Sequence, residues 1–405
     1  MARMAHRARR AKGGVQGVSP LLGTDVAIAE RARANDAFFA AEAERLARLC
    51  HRMAERFAGG GRLVAFGRSA AAASDARHVA VEFVHPVIMG KRALPAIAVT
   101  GEDLAAKAEL LVEPLDVVLT FDDPAMVGPA RRCGALTVAF GRVGAEWEFL
   151  APSDDASVRQ ELVETLYHVV WELVHVFFDH RGLLEGRTAR AQHDAGASSF
   201  LYPFLAEGQT DLEAVVEDVR LSVLAKATEI GELRTLTLEA NRDSLAAAAR
   251  ELRALLDAGG RLLAIGNGGS ATDAMDVVAD FREPPNPAWP ARRALDLVED
   301  PAILTAIAND IGVENLFARQ VIAHGRVGDA LLAISTSGNS ANIIAALAEA
   351  RRRGLNTIAM VGYDGGQVLA HALADQVIVT RSEHIPRIQE AQASAYHVLR
   401  ELVEA

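Results

Sequence analysis

The chain has 405 residues, half of them hydrophobic and 23% charged, with a formal net charge of −11. That length allows two domains with full cores, and the composition argues against disorder. The acidic balance excludes a non-specific nucleic-acid binder, which needs clustered Lys and Arg. Cys50 and Cys133 form no CxxC pair and no disulfide framework, so a reducing cytoplasm is expected. The longest apolar run, 166–178, is interrupted by His168, Glu172 and His175, so no membrane span is expected either.

Residues 1–23 read as a disordered basic tail or an over-extended start, because Met1 to Lys12 has no apolar stretch of a secretory signal behind it. Helical periodicity runs from Thr24 to Phe57 and stops at Gly59-Gly60-Gly61. Short apolar runs predict strands at 63–66, 96–99, 116–121 and 136–140, with a helix over 70–83 and a long apolar helix over 159–179. Residues 24–180 thus form a first domain. The stretch 181–210 is a linker: 186–199 is rich in Gly, Ala and Ser, and the apolar 200–205 docks on one domain. A second domain, 211–405, opens on helices broken near Gly231. Strands follow at 261–265, 294–298, 329–335, 356–361 and 375–379, and a last helix at 386–404.

Two segments of the second domain stand out. Gly266-Asn267-Gly268-Gly269-Ser270-Ala271 and Ser335-Thr336-Ser337-Gly338-Asn339-Ser340 each follow a buried strand and open a helix. Free backbone N–H groups and the helix dipole make such a turn suited to an anion. The glycines let the backbone come close and the hydroxyls donate to phosphate oxygens. Two such turns in one α/β unit point to phosphate rather than to ordinary Gly/Ser turns.

The two domains repeat one another. Gly60-Gly61-Arg62-Leu63-Val64-Ala65-Phe66-Gly67 matches Gly259-Gly260-Arg261-Leu262-Leu263-Ala264-Ile265-Gly266, and Gln160-Glu161 with His168 matches Gln389-Glu390 with His397 at equal spacing. The chain is a tandem duplication of one αβα unit, and the first copy lacks about a dozen residues around 305–320.

On these residues, with Leu304-Thr305-Ala306-Ile307-Ala308-Asn309-Asp310 and Arg387-Ile388-Gln389-Glu390, the second half resembles a sugar isomerase (SIS) domain of the sedoheptulose 7-phosphate isomerase branch. The first half resembles the same fold more weakly, over about 24–180. The resemblance implies an α/β fold of two tandem flavodoxin-like αβα domains, each with a five-stranded parallel sheet, fewer strands in the first. It also implies a phosphosugar ligand, zinc, no nucleotide cofactor, no nucleic-acid or membrane partner, and a homodimer of tandem chains standing in for the family's tetramer.

The resemblance assigns Asn267, Gly268, Gly269, Ser270, Ser335, Thr336, Ser337 and Ser340 to phosphate, and Asp310 to sugar hydroxyls. It implies a zinc-linked cluster from a His-x-x-x-Glu helix and a Gln and His on the last helix; residues four apart share a helix face. In the first copy these are His78, Glu82, Gln160 and His168. In the second, Asp276 and Asp280 replace His and Glu, so Asp276, Asp280, Gln389 and His397 form a weaker set. Conversely, the first copy's phosphate turns are degraded: 67–70 reads Gly-Arg-Ser-Ala, and Phe121-Asp122-Asp123-Pro124 sets two carboxylates where phosphate would lie.

The expected activity is aldose–ketose isomerisation, with Glu82 or Asp280 as base and His168 or His397 as its partner. A non-catalytic phosphosugar-binding relative that recruits a protein partner is the alternative. Because each copy keeps what the other has lost, the active site is expected to be composite, with the first copy's cluster brought to the second copy's phosphate turns.

Overall fold

The computed structural model describes residues 20–86, 91–179 and 212–405. The expected linker 186–199, the docking segment 200–205 and most of the basic tail lie outside the described residues. The first unit comprises α1 (Pro20–Ala58), β1 (Leu63–Gly67), α2 (Ala70–Val84), β2 (Ala96–Thr100), α3 (Leu104–Leu111), β3 (Val117–Thr120), α4 (Val127–Cys133), β4 (Leu136–Ala139), β5 (Trp147–Glu148) and α5 (Ala156–Asp179). The second begins with α6 (Leu212–Ala240), α7 (Arg242–Asp257), β6 (Leu262–Ile265), α8 (Gly269–Arg282) and β7 (Ala294–Asp296). After it come α9 (Pro301–Ile311), α10 (Leu316–His324), β8 (Ala330–Ser335), α11 (Ala341–Arg352), β9 (Asn356–Gly362), α12 (Gly366–Ala370), β10 (Gln376–Thr380) and α13 (Ile385–Glu404).

Among the described residues these strands form two five-stranded parallel sheets, ordered β2-β1-β3-β4-β5 and β7-β6-β8-β9-β10. The central strands are buried along their whole length, which is why they read as unbroken apolar runs. Each sheet has the flavodoxin-like order 2-1-3-4-5 within its own unit, and the chain reverses between β1 and β3, or β6 and β8. Ligands of such sheets bind at the carboxyl ends of the strands at that switch point, where both phosphate-type turns of the second unit emerge.

Three expectations change in detail. The first sheet gains a fifth strand, β5, too short at two residues to show in an apolar pattern. Helix α1 starts at Pro20, inside the expected tail. The break between the opening helices of the second unit falls at Asn241, not Gly231. Gly231 stays helical; a Cβ there would stand 3.3 Å from Asn35 Nδ2, so the glycine serves close packing of α6 on α1.

That packing interlocks the units. Val215, Val216, Val219 and Val223 of α6 join the core of the first unit, while Ala27 and Ile28 of α1 pack against the second. Helix α2 packs on α8 and α5 on α13, giving an internal two-fold relation between the copies. Arg234 of α6 sits at this junction, donating to Thr165 Oγ1 at 2.7 Å, the Glu161 carbonyl at 3.0 Å and Asn35 Oδ1 at 3.3 Å. No helix among the described residues is long and apolar enough to cross a membrane.

A candidate active site shared by the two copies

The turn after β6 places Gly268 at φ 58° as the residue before α8. Asn267 and Asn342 exchange two amide bonds of 3.0 and 2.8 Å, tying this turn to the start of α11. In the second turn, Ser335 Oγ accepts from Gly338 N at 3.1 Å and Ser337 Oγ from Asn339 N at 3.1 Å. Ser340 precedes α11 but makes no capping bond to it. Ser270 and Ser335 are buried, whereas Thr336, Ser337 and Ser340 are half-buried. Asp310 is exposed near the end of α9, takes a bond from Asn309, and is linked to the turns by no hydrogen bond or ion pair among the described residues.

His78 and Glu82 of α2 and His168 of α5 come together, fully buried, and could hold an ion. His78 Nε2 lies 3.3 Å from His168 Nε2 and 3.9 Å from Glu82 Oε1. The fourth member is a correction. Gln160 is not there; it donates to Asp276 Oδ1 at 2.7 Å, and Gln389 of α13 takes its place, 3.3 Å from His78 Nε2. The reason is the internal two-fold: the start of α5 reaches across to α8, and the start of α13 reaches across to α2. Equal spacing within each copy could not reveal that exchange.

The same crossing sets this cluster on the phosphate-type turn of the other copy. A Cβ on Gly269 would stand 2.8 Å from His78 Nε2 and 1.9 Å from Gln389 Nε2, so only glycine fits between turn and cluster.

The surroundings orient the donors. His168 Nδ1 pairs with the buried Glu390 carboxylate at 3.0 Å, which fixes Nδ1–H and turns Nε2 towards His78. Arg387 bonds the same carboxylate. Burial and the neighbouring His168 push the His78 pKa well down, so its imidazole is neutral. Burial raises the Glu82 pKa. Glu82 Oε2 and Gln389 Oε1 are buried and lack a hydrogen-bond partner. Two imidazole nitrogens and two orphaned oxygens are a donor set that fits zinc.

Sequence reasoning missed Glu390 as the partner of His168 and Tyr167 as the partner of His78, whose OH lies 2.9 Å from Nδ1. The signal was present, since Gln-Glu, five intervening residues and then Tyr-His occur in both copies.

Across the two-fold lies the counterpart. Asp276 and Asp280 of α8 flank His397 of α13, with Gln160 and not Gln389 beside them. They face the degraded turns of the first copy, where Asp122 already accepts from Arg68 N at 3.1 Å and Ser69 N at 2.8 Å. Its carboxylate occupies the N–H groups that a phosphate would need. Asp123 is tied up with Arg68 and with Ala125 N.

The SIS domain model matches residues 227–362. The chain is 38% identical over 196 residues to the phosphoheptose isomerase of Nitratidesulfovibrio vulgaris, a match covering 47% of this chain and 90% of that protein. It is 40% identical over 200 residues to the phosphoheptose isomerase of Chlorobium phaeobacteroides, covering 49% of this chain and 86% of the relative. The C-terminal domain of glucosamine-fructose-6-phosphate aminotransferase from Francisella tularensis superposes with a TM-score of 0.60 at 9% identity, over 97% of each chain, a likeness of fold alone. With two doubly wound sheets and relatives of this identity, the chain belongs to the sugar isomerase (SIS) domain family, as a tandem protein with a phosphoheptose-isomerase-like region.

Proposed function

We propose that the chain is a sugar-phosphate aldose–ketose isomerase acting on sedoheptulose 7-phosphate. The observation that carries this is the placement of His78 and Gln389 against Gly269, which joins the first copy's cluster to the second copy's phosphate turns. The phosphate is held by backbone N–H groups at the starts of α8 and α11 and by the hydroxyls of Ser270, Ser335, Thr336, Ser337 and Ser340, with Asn267 beside them. Glu82 is the base that moves a proton between adjacent carbons through an enediol. Of the two acid/base pairs expected, Asp280 and His397 face a turn already filled by Asp122, which favours Glu82 with His168. Zinc, held by His78, Glu82, His168 and Gln389, would supply Lewis-acid polarisation of the carbonyl. His168 Nε2 serves either as a zinc ligand or as the acid at the carbonyl, and one nitrogen cannot do both at once. This reading carries with it a reducing cytoplasm and a homodimer of tandem chains.

The test is a coupled assay of the purified chain with sedoheptulose 7-phosphate, with and without zinc. Turnover is expected, reduced about 100-fold or more in Glu82→Gln; full activity in that variant would remove Glu82 as base.

A second expectation follows from Asp122. Calorimetric titration with phosphosugar should give one site per chain, and a stoichiometry of two would show that the first copy's turns also bind. Ser337→Asp should abolish binding by setting charge against the phosphate, while Asp123→Asn should leave it intact.

A further inference from the structure

We propose that the cleft over the first copy's degraded turns binds an organic ammonium ion, an amine carried on an apolar or ring body, in place of a phosphate ester. The cleft has a volume of about 430 Å³ and lies among the turns after β1 and β3, the start of α5 and the end of α8. That is within the roughly 300–1,000 Å³ of small-molecule sites. It presents four carboxyl groups, Asp75, Asp122, Asp280 and Glu283. Against them stands one basic side chain, Arg159, whose guanidinium already donates to the Ser153 and Asp154 carbonyls at 3.1 and 2.7 Å. Phosphate has no cradle here, because the Asp122 oxygens take the Arg68 and Ser69 N–H groups.

Asp75 of α2 is the decisive group. It is 9% exposed, lines the cleft, and has no hydrogen bond or ion pair among the described residues. Asp280 already has His397 Nε2 at 3.6 Å and Asp122 has its two N–H groups, so Asp75 is the buried carboxyl left to meet a ligand's charge. Burial, and after it the nearby Asp276, push the Asp75 pKa well up. A carboxyl so placed ionises only at a cost, which a positive charge beside it offsets. Among the described residues the four carboxyl groups do not gather within reach of a single ion. The rest of the wall is largely apolar, with Phe121, Phe140, Leu150 and Val163. The two phenylalanine ring centroids lie 4.9 Å apart, with the rings inclined at 41°. A bare metal ion gains little from such a wall, whereas an organic ammonium gains both apolar burial and attraction to the ring faces.

The experiment uses the full chain with benzylamine as probe, and benzyl alcohol and benzoate as its neutral and anionic counterparts, titrated by saturation-transfer NMR. Benzylamine should bind about tenfold or more tighter than benzyl alcohol, and benzoate should not bind. An excess of sedoheptulose 7-phosphate should not displace the amine, so failure of the isomerase reading leaves this result untouched. Asp75→Asn should weaken amine binding about tenfold or more. Phe121→Leu, which keeps an apolar side chain but removes the ring, should weaken it about threefold. No binding of benzylamine, equal binding of either counterpart, displacement by the phosphosugar, or unchanged affinity in Asp75→Asn or Phe121→Leu would overturn the proposal. Should Asp75→Asn fail to fold by circular dichroism, the affinity of Phe121→Leu decides.

Discussion

Gly269→Ala is expected to lower kcat/KM for sedoheptulose 7-phosphate by 100-fold or more while leaving the chain folded. The added methyl would enter the space of Gln389 Nε2, 1.9 Å away, and press on His78 Nε2 at 2.8 Å. Gln389 and His78 are each 2% exposed and have nowhere to retreat, so the start of α8 must move instead. A displacement of about 1 Å at a site proposed to anchor phosphate and position a proton-transfer group costs roughly a hundredfold. Adding Gln389→Ala to Gly269→Ala should recover phosphosugar binding by calorimetry, since the closer of the two obstructions is gone and His78 gains room to shift, but not turnover. Wild-type turnover in Gly269→Ala would separate the phosphate turn from the cluster and with it defeat the composite site.

The largest stability effect is expected at Glu161. This buried carboxylate of α5 accepts from Arg31 Nε at 3.0 and 3.1 Å, lies 3.0 Å from His397 Nδ1, and takes a bond from Ser394. It joins α1, α5 and α13 from the two copies. Glu161→Ala removes the buried carboxylate shared by Arg31 and His397, leaving the first with Glu401 and the second with Asp276 and Asp280, a loss of about 3–5 kcal/mol. Against a total stability of order 5–15 kcal/mol, that is a large shift in the urea midpoint. A change under about 1 kcal/mol would mean that water or Glu401, which Arg31 also contacts at 2.9 Å, replaces Glu161. Burial alone would raise the Glu161 pKa, yet Arg31 and His397 hold it well below 4.5. Its stabilisation is therefore present above the unfolded value of 4.5 and lost as pH falls towards the lower folded value. The wild type should show this acid loss, and Glu161→Ala should lack that part of it.

Much of the architecture was legible because buried parallel strands leave continuous apolar runs and because the two copies share whole peptides. Strand β5 was not, since Trp147 and Glu148 carry no run at all. Gly231 misled because a glycine inside a helix can stop it or let another helix approach, and only the position of Asn35 tells which. The strand-to-helix turns at 266–271 and 335–340 and the nearness of His78 to Glu82 could be read from local spacing. The exchange of Gln160 for Gln389 could not, because it follows from how two similar units cross, and each unit alone presents a self-consistent set. Asp122 was legible as a charge hostile to phosphate; that it bonds the backbone N–H groups itself depends on how the turn after β3 folds against the turn after β1.

Tethering the two units has a consequence for dilution. A site built between separate subunits exists only while they stay associated, and its occupancy falls with protein concentration. Here the elements that meet at Gly269 belong to one polypeptide, so their encounter is intramolecular and does not weaken on dilution. The pairing of His78 with the α8 turn is thus insensitive to how little protein the cell makes. The same tether also frees each face of the junction to drift separately, since a substitution in one unit is no longer copied automatically into the other.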